Sequence, residues 1–210
     1  MINNNDNKLF LGMVVFDGFE LLDAFGPLEM FGLLKDTVEI LIIGQHHGTV
    51  KSNAGPSVVI DRTFEEIEKL DILMVPGGGG TRQEVNNQPF LDALKKLGER
   101  TPHVASICTG SAILAKTGLT DDVKATTNKR AYQWATSQSD QVLWIKEARW
   151  VEDGKFFTSS GVSAGTDMGL ALIEKLFGHD EAIKTANAAE YIWNENPHDD
   201  PFAKLNGLVD

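Results

Sequence analysis

The chain holds one cysteine, Cys108, and the residues around it suit a reactive side chain. Val104-Ala105-Ser106-Ile107 precede it and Thr109-Gly110-Ser111-Ala112 follow. The first segment reads as a buried strand, and the second opens a helix. A tight strand-to-helix turn presents a nucleophile at the edge of a sheet when its neighbours are small enough to let the backbone pass. The helix N-terminus is expected to favour the thiolate and draw its pKa below the ordinary value of about 8.5. The amides of Thr109 and Gly110 are expected to face developing negative charge. The competing reading is a small core residue, since free cysteines are among the most buried side chains.

A second feature is Pro76-Gly77-Gly78-Gly79-Gly80. It follows an apolar run but is neither a P-loop nor a dinucleotide fingerprint, and no Lys-Ser/Thr pair follows to hold a phosphate. It reads either as a turn or as a loop whose amides approach an anion closely, which glycine alone permits. Other polar groups are given structural readings. His179-Asp180-Glu181 reads as a helix start with Asp180 as cap, not as part of a triad. His46-His47 reads as a surface turn, because adjacent imidazoles on a regular element do not face one metal. His198-Asp199-Asp200 reads as a polar tail, and Asn128-Lys129-Arg130 as a solvated helix start with anion binding as the lesser alternative. Thr166-Asp167 reads as a cap, and Trp134, Trp144, Trp150 and Trp193 as core or dimer packing.

The elements that must position these groups alternate. Strands are expected over residues 9–16, 38–43, 71–75, 104–107, 147–151 and 156–159. Helical spacing covers 19–34 with a break at Gly26-Pro27, 89–97 ended by Gly98, 109–116 ended by Gly118, 128–137, 163–177 and 180–193. Residues 50–60 read as a hairpin, Asp153-Gly154 as a tight turn, and Thr63 with Glu66 as a capping box opening a short helix. The alternation predicts a single-domain α/β fold: a mostly parallel central sheet with helices on both faces, a flavodoxin-like sandwich with small β-hairpin additions. Residues 1–7 are expected to be a disordered tail. Ligands in such sheets bind beyond the carboxyl ends of the strands, so the segments after Phe16, after Val75 and at Cys108 matter most.

Composition bounds the partners. The 210 residues carry 19 Lys+Arg and 30 Asp+Glu, a formal charge of −11. That balance argues against nucleic acid, whose binding needs clustered cations, and against an anionic membrane surface. A lone cysteine and the absence of a signal-like N-terminus suit a reducing cytoplasm.

In combination several motifs resemble the ThiJ/PfpI superfamily, the class I glutamine amidotransferase-like fold, over nearly the whole chain. They are Leu21-Leu22-Asp23-Ala24-Phe25-Gly26-Pro27, Val75-Pro76-Gly77-Gly78, Ser106-Ile107-Cys108-Thr109-Gly110, Ala125-Thr126-Thr127-Asn128, the segment 160–167 and Ala189-Glu190-Tyr191. They look most like the branch that includes isonitrile hydratase. The resemblance implies Cys108 as nucleophile, Asp23 as its carboxyl partner and proton shuttle, and Thr109 as an assistant through hydroxyl or amide. It also implies an oxyanion or substrate-binding site at Gly78, Gly79 and Gly110, a homodimer, a small-molecule substrate, and neither metal nor organic cofactor. Thr109 stands where protease-like members carry histidine, which disfavours that branch. An Asp beside a thiolate should have a raised pKa through repulsion, and its neighbours Leu21, Leu22 and Phe25 argue for a place near the core. The alternatives are glyoxalase or deglycase action on methylglyoxal, an amidase, or a non-enzymatic redox sensor or ligand-binding protein. Regulators of the superfamily carry a helix-turn-helix domain beyond the matched part. The chain ends at Asp210, so DNA binding is not expected.

Overall fold

The computed structural model describes residues 8–210, so the tail expected at 1–7 lies outside the described residues. The chain opens with β1 (Leu9–Val14), α1 (Leu21–Gly32) and β2 (Val38–Gly44). A hairpin of β3 (Thr49–Lys51) and β4 (Ser57–Val59) follows, then β5 (Arg62–Thr63) and a 3-10 turn at Phe64–Glu66. Next come β6 (Ile72–Val75), α2 (Thr81–Glu84), α3 (Gln88–Arg100), β7 (His103–Ser106) and α4 (Gly110–Thr117). The remainder is β8 (Lys124–Ala125), α5 (Tyr132–Thr136), β9 (Leu143–Trp144), β10 (Trp150–Asp153), β11 (Phe156–Ser159), α6 (Ala164–Phe177), α7 (His179–Ala188) and α8 (Pro201–Leu205).

Seven strands form one sheet in the order β10-β11-β7-β6-β1-β2-β5. Every pairing in it is parallel except β10 with β11. The inner strands are buried on both faces: Leu11, Met13, Ile72, Leu73, Met74 and Val104 have no exposed surface. That is why they read as continuous apolar runs. The winding reverses between β1 and β6, and a crevice at such a switch point is where α/β sheets bind ligands.

Several expected boundaries move. α1 runs unbroken through Gly26-Pro27. Pro27 packs beside Gly169 and Gly26 beside Thr166, so contact with α6 offsets the lost backbone bond. Gly98 does not end α3; its missing Cβ makes room for Leu119. The capping box at Thr63 and Glu66 forms, but on a 3-10 turn. Asp180 lies in the first turn of α7, whose cap is Gly178, and that helix stops at Ala188 rather than at 193.

Candidate active site at the carboxyl ends of β1, β6 and β7

Cys108 occupies the bend between β7 and α4 with φ 56°, a left-handed conformation rare for a residue with a side chain. Such strain costs about 1–3 kcal/mol and persists where the surroundings over-determine it. They do so here. The Cys108 N–H faces the carbonyls of Ser159 and Ser160 at 3.2 and 3.1 Å, and its carbonyl accepts from the Ser111 and Thr127 hydroxyls at 2.9 and 3.1 Å. Gly110 has to be glycine because a Cβ would run into the Val75 carbonyl. The bend thus fixes the sulfur at the floor of a cleft of about 720 Å³, where Cys108 is 6% exposed.

Asp23 reaches the same point from α1 and has no exposed surface. Its Oδ2 accepts from the Gly77 N–H at 2.9 Å, while Oδ1 has no full hydrogen bond among the described residues. Burial pushes its pKa from 3.8 to about 7, against hydrogen bonds from the Gly77 amide and the Cys108 thiol; the nearby Glu20 adds to the rise. Burial, not repulsion by sulfur, is therefore the main cause of the raised value. The neighbours invoked in the sequence are also misplaced: Leu22 and Phe25 are 45% and 41% exposed, and Asp23 lies on the opposite side of α1 with Ala24, Pro27 and Phe31.

The thiol does not follow the low pKa expected from the helix N-terminus. Burial, followed by the negative Asp23, pushes Cys108 up to about 12. Hydrogen bonds from the Thr109 amide, Asn128 and the Val162 amide act the other way but do not win. Burial thus holds both groups of the pair above their ordinary values.

The glycine loop sits over this pair. A Cβ on Gly77 would lie 2.6 Å from the Thr109 nitrogen, 2.7 Å from Thr109 Oγ1 and 2.8 Å from Asp23 Oδ2. Gly78, at φ 127°, donates its N–H to Thr109 Oγ1 at 3.1 Å, and Thr81 Oγ1 donates to the Gly78 carbonyl at 2.7 Å. The Gly78 amide is therefore engaged by Thr109 rather than turned to the cleft. Gly78 lines the cleft, whereas Gly110 does not, and the Gly110 N–H is bound to the Ile107 carbonyl at 2.9 Å. Gly79 does line the cleft, and its N–H donates to no other group among the described residues. The donors near the sulfur are the Thr109 and Val162 amides and Asn128.

Asn128 is the residue whose role sequence reasoning missed. Its Nδ2 lies 3.2 Å from Cys108 Sγ, and its Oδ1 accepts from the Ala131 N–H at 2.9 Å. The only available signal was its place at the end of the Ala125–Asn128 motif. Beside it, Lys129 is buried rather than solvated, donating to Thr126 Oγ1 and the Ala148 carbonyl at 2.6 Å each. Burial lowers its pKa to about 8.

The remaining polar groups lie elsewhere. Asp167 is fully buried and is not a simple cap: it holds the Arg149 guanidinium, with Nε 2.7 Å away, and accepts from Tyr191 Oη at 2.9 Å and the Asn194 N–H at 3.0 Å. Asp200 is buried and caps α8, so it is no polar tail. His47 pairs with Glu66 and His179 with Glu174, both exposed. Trp134 packs against the core as expected and also forms a wall of the cleft.

The sequence pattern of the DJ-1/PfpI family matches residues 11–175. An isonitrile hydratase of Pseudomonas putida is 32% identical over 87% of this chain and 78% of its own. A crystal structure of a ThiJ/PfpI family protein from Pseudomonas syringae superposes with a TM-score of 0.81 and 29% identity, over 92% of this chain and 81% of that one. A transcriptional regulator of Pseudomonas aeruginosa with a helix-turn-helix description is 30% identical over 84% of this chain, which spans 52% of the regulator.

Proposed function

The chain belongs to the DJ-1/PfpI family, and we propose that it is a cysteine-dependent hydratase that converts a small isonitrile to an N-substituted formamide. The observation that carries this reading is Cys108 on the floor of an open cleft with the fully buried Asp23 carboxyl in contact behind it. Addition to a carbon that must also gain a proton requires a nucleophile and an acid in contact, and a carboxyl titrating near 7 can serve as both base and acid. The thiol proton passes to ionised Asp23, which removes the negative charge opposing the thiolate. Sulfur attacks the terminal isonitrile carbon, forming the C–S bond, and Asp23 returns its proton to that carbon to give a thioimidate. Water then adds to the C=N carbon, nitrogen takes a proton, and the C–S bond breaks to release formamide and restore the thiol. The Thr109 and Val162 amides and Asn128 supply donors for charge that develops on sulfur and on the nitrogen beside it.

Incubation with n-butyl isonitrile, followed by proton NMR for N-butylformamide, tests the reaction. Turnover is expected, with loss of about a hundredfold or more in Cys108→Ala. Mass spectrometry of the quenched enzyme should show the isonitrile mass added on Cys108. Equal turnover by the Cys108→Ala variant refutes the reading.

A second chemistry has one observation in its favour. Glu20 lies on the cleft wall and is close enough to Asp23 to raise its pKa. That carboxylate is a base of the kind that rearrangement of a methylglyoxal hemithioacetal would need, and a deglycase of Pyrococcus horikoshii is 31% identical over 56% of this chain. A lactate assay with methylglyoxal separates the two. The same family reading carries a homodimer. Leu22 and Phe25 stand one turn apart on α1 and are exposed, and light scattering reads the mass.

A further inference from the structure

The walls of the Cys108 cleft contradict the overall charge of the protein. The chain has eleven more acidic than basic residues, yet the cleft is lined by Arg82, Lys129 and Arg130 against the single carboxylate of Glu20. Neither arginine has a carboxylate partner within ion-pair distance among the described residues. The Arg82 guanidinium lies over the Trp134 ring, 4.1 Å from its centroid, which fixes the plane of the fork without neutralising it. Its Nη1 is 3.3 Å from Thr81 Oγ1, and that hydroxyl is 3.2 Å from Thr109 Oγ1. The positive group therefore stands at most two hydrogen-bond lengths from the residue next to the nucleophile. Arg130 makes no hydrogen bond within the described chain and is exposed, so its donors are free to turn onto a ligand. Lys129 is anchored on Thr126 and Ala148, so its charge acts from behind the wall.

Resting on the hydratase reading, we propose that the substrate is a small isonitrile carrying a carboxylate, held by Arg82 and Arg130 while its terminal carbon reaches Cys108. A guanidinium presents two parallel N–H groups that match a carboxylate, and the partly enclosed site strengthens such a pair relative to open water. Glu20 stands against α1, so it repels the anion from the Asp23 side and leaves the arginine wall as the seat. In an acidic protein, two unpaired guanidinium groups flanking one nucleophile select an anion and admit neutral analogues less well.

The test uses unreactive probes and substrates side by side. N-formylglycine and its neutral amide mimic products with and without the carboxylate, and calorimetry on the intact protein reads their affinities. N-formylglycine is expected to bind about ten- to hundredfold more tightly than the amide. Arg82→Gln and Arg130→Gln should each cost it about tenfold while moving the amide much less. Arg130 makes no hydrogen bond within the described chain, so Arg130→Gln keeps the test valid should Arg82→Gln misfold. Turnover of isocyanoacetate against its methyl ester forms the second arm, read as the ratio of kcat/KM. Preference for N-formylglycine without turnover of either isonitrile upholds the anion site and removes the hydratase reading. Equal binding of the two probes, or no binding of either, overturns the proposal, and turnover of the neutral ester then leaves the hydratase reading intact.

Discussion

Replacing Asp23 by asparagine should make the protein more stable at pH 8 and remove a pH dependence that the native chain carries. Asp23 titrates near 7 in the fold and near 3.8 when exposed, chiefly because burial disfavours its charge. A carboxyl whose folded pKa is raised holds its proton in the native state while the unfolded chain has lost it. Stability conferred by this group is therefore complete below about pH 4 and falls as pH rises to 7, above which the loss is constant. The gap between 3.8 and about 7 corresponds to about 4 kcal/mol at 1.36 kcal/mol per pH unit. The amide introduced by Asp23→Asn cannot ionise, and its carbonyl oxygen can still accept the Gly77 N–H. Urea unfolding of both proteins at pH 4, 5, 6, 7 and 8 isolates the effect, because titrating groups not coupled to Asp23 cancel in the difference. The variant should gain on the native protein progressively, by about 4 kcal/mol between the ends of the range. A difference that stays flat across the series, or that moves against the variant, refutes the placement of Asp23 as a buried acid.

Three further outcomes follow from the same geometry. Asn128→Asp keeps an acceptor for the Ala131 N–H but replaces the donor 3.2 Å from Cys108 Sγ by a negative group, so alkylation by iodoacetamide at pH 9 should slow about tenfold; an equal or faster rate contradicts it. Because Cys108 is the sole cysteine, whole-protein mass spectrometry reads that rate directly. Gly77→Ala would force a Cβ within 2.6–2.8 Å of Thr109 and Asp23, and overpacking of this kind costs about 1–3 kcal/mol, read as a lower urea midpoint. Asp167→Asn leaves the buried Arg149 without its counter-charge and should cost about 3–5 kcal/mol, with a loss under about 1 kcal/mol excluding the proposed role.

Much of the scaffold was legible because parallel strands buried on both faces leave apolar runs that need no context. β1, β2, β6 and β7 fall within a few residues of their expected positions. The break at Gly26-Pro27 was misread because local backbone preference spoke against a helix that packing on α6 sustains. The bend at Cys108 was legible from its small neighbours, but its protonation was not. Helix position is a local property, whereas burial by the glycine loop and Asp23 joins segments that lie far apart in the chain, Asp23 and Gly77 being 54 positions apart. Asn128 was hidden for the same reason: its contact with sulfur spans 20 residues, across α4 and β8. Asp200 and Lys129 read as solvated polar residues because nothing local reveals that chain segments close over them.

The two raised pKa values of the candidate site have one origin, and this bears on how a buried thiol can act. Desolvation alone would leave Cys108 inert, since the thiolate is the nucleophile. Placing an acid of comparable burial against it changes the choice available to the pair. Its members hold one proton between them once Asp23 has ionised, and moving that proton from sulfur to Asp23 leaves the net charge of the pocket unchanged. The proposed reaction would then need no fresh charge brought into the apolar floor, only a redistribution of the one already there. The strained bend holds the sulfur against Asp23 where the core meets the cleft, while Gly77 lets the loop close over both. A helix N-terminus tuned to stabilise a permanent thiolate would serve this arrangement poorly, because it would trap the charge on sulfur and leave Asp23 no proton to take from it.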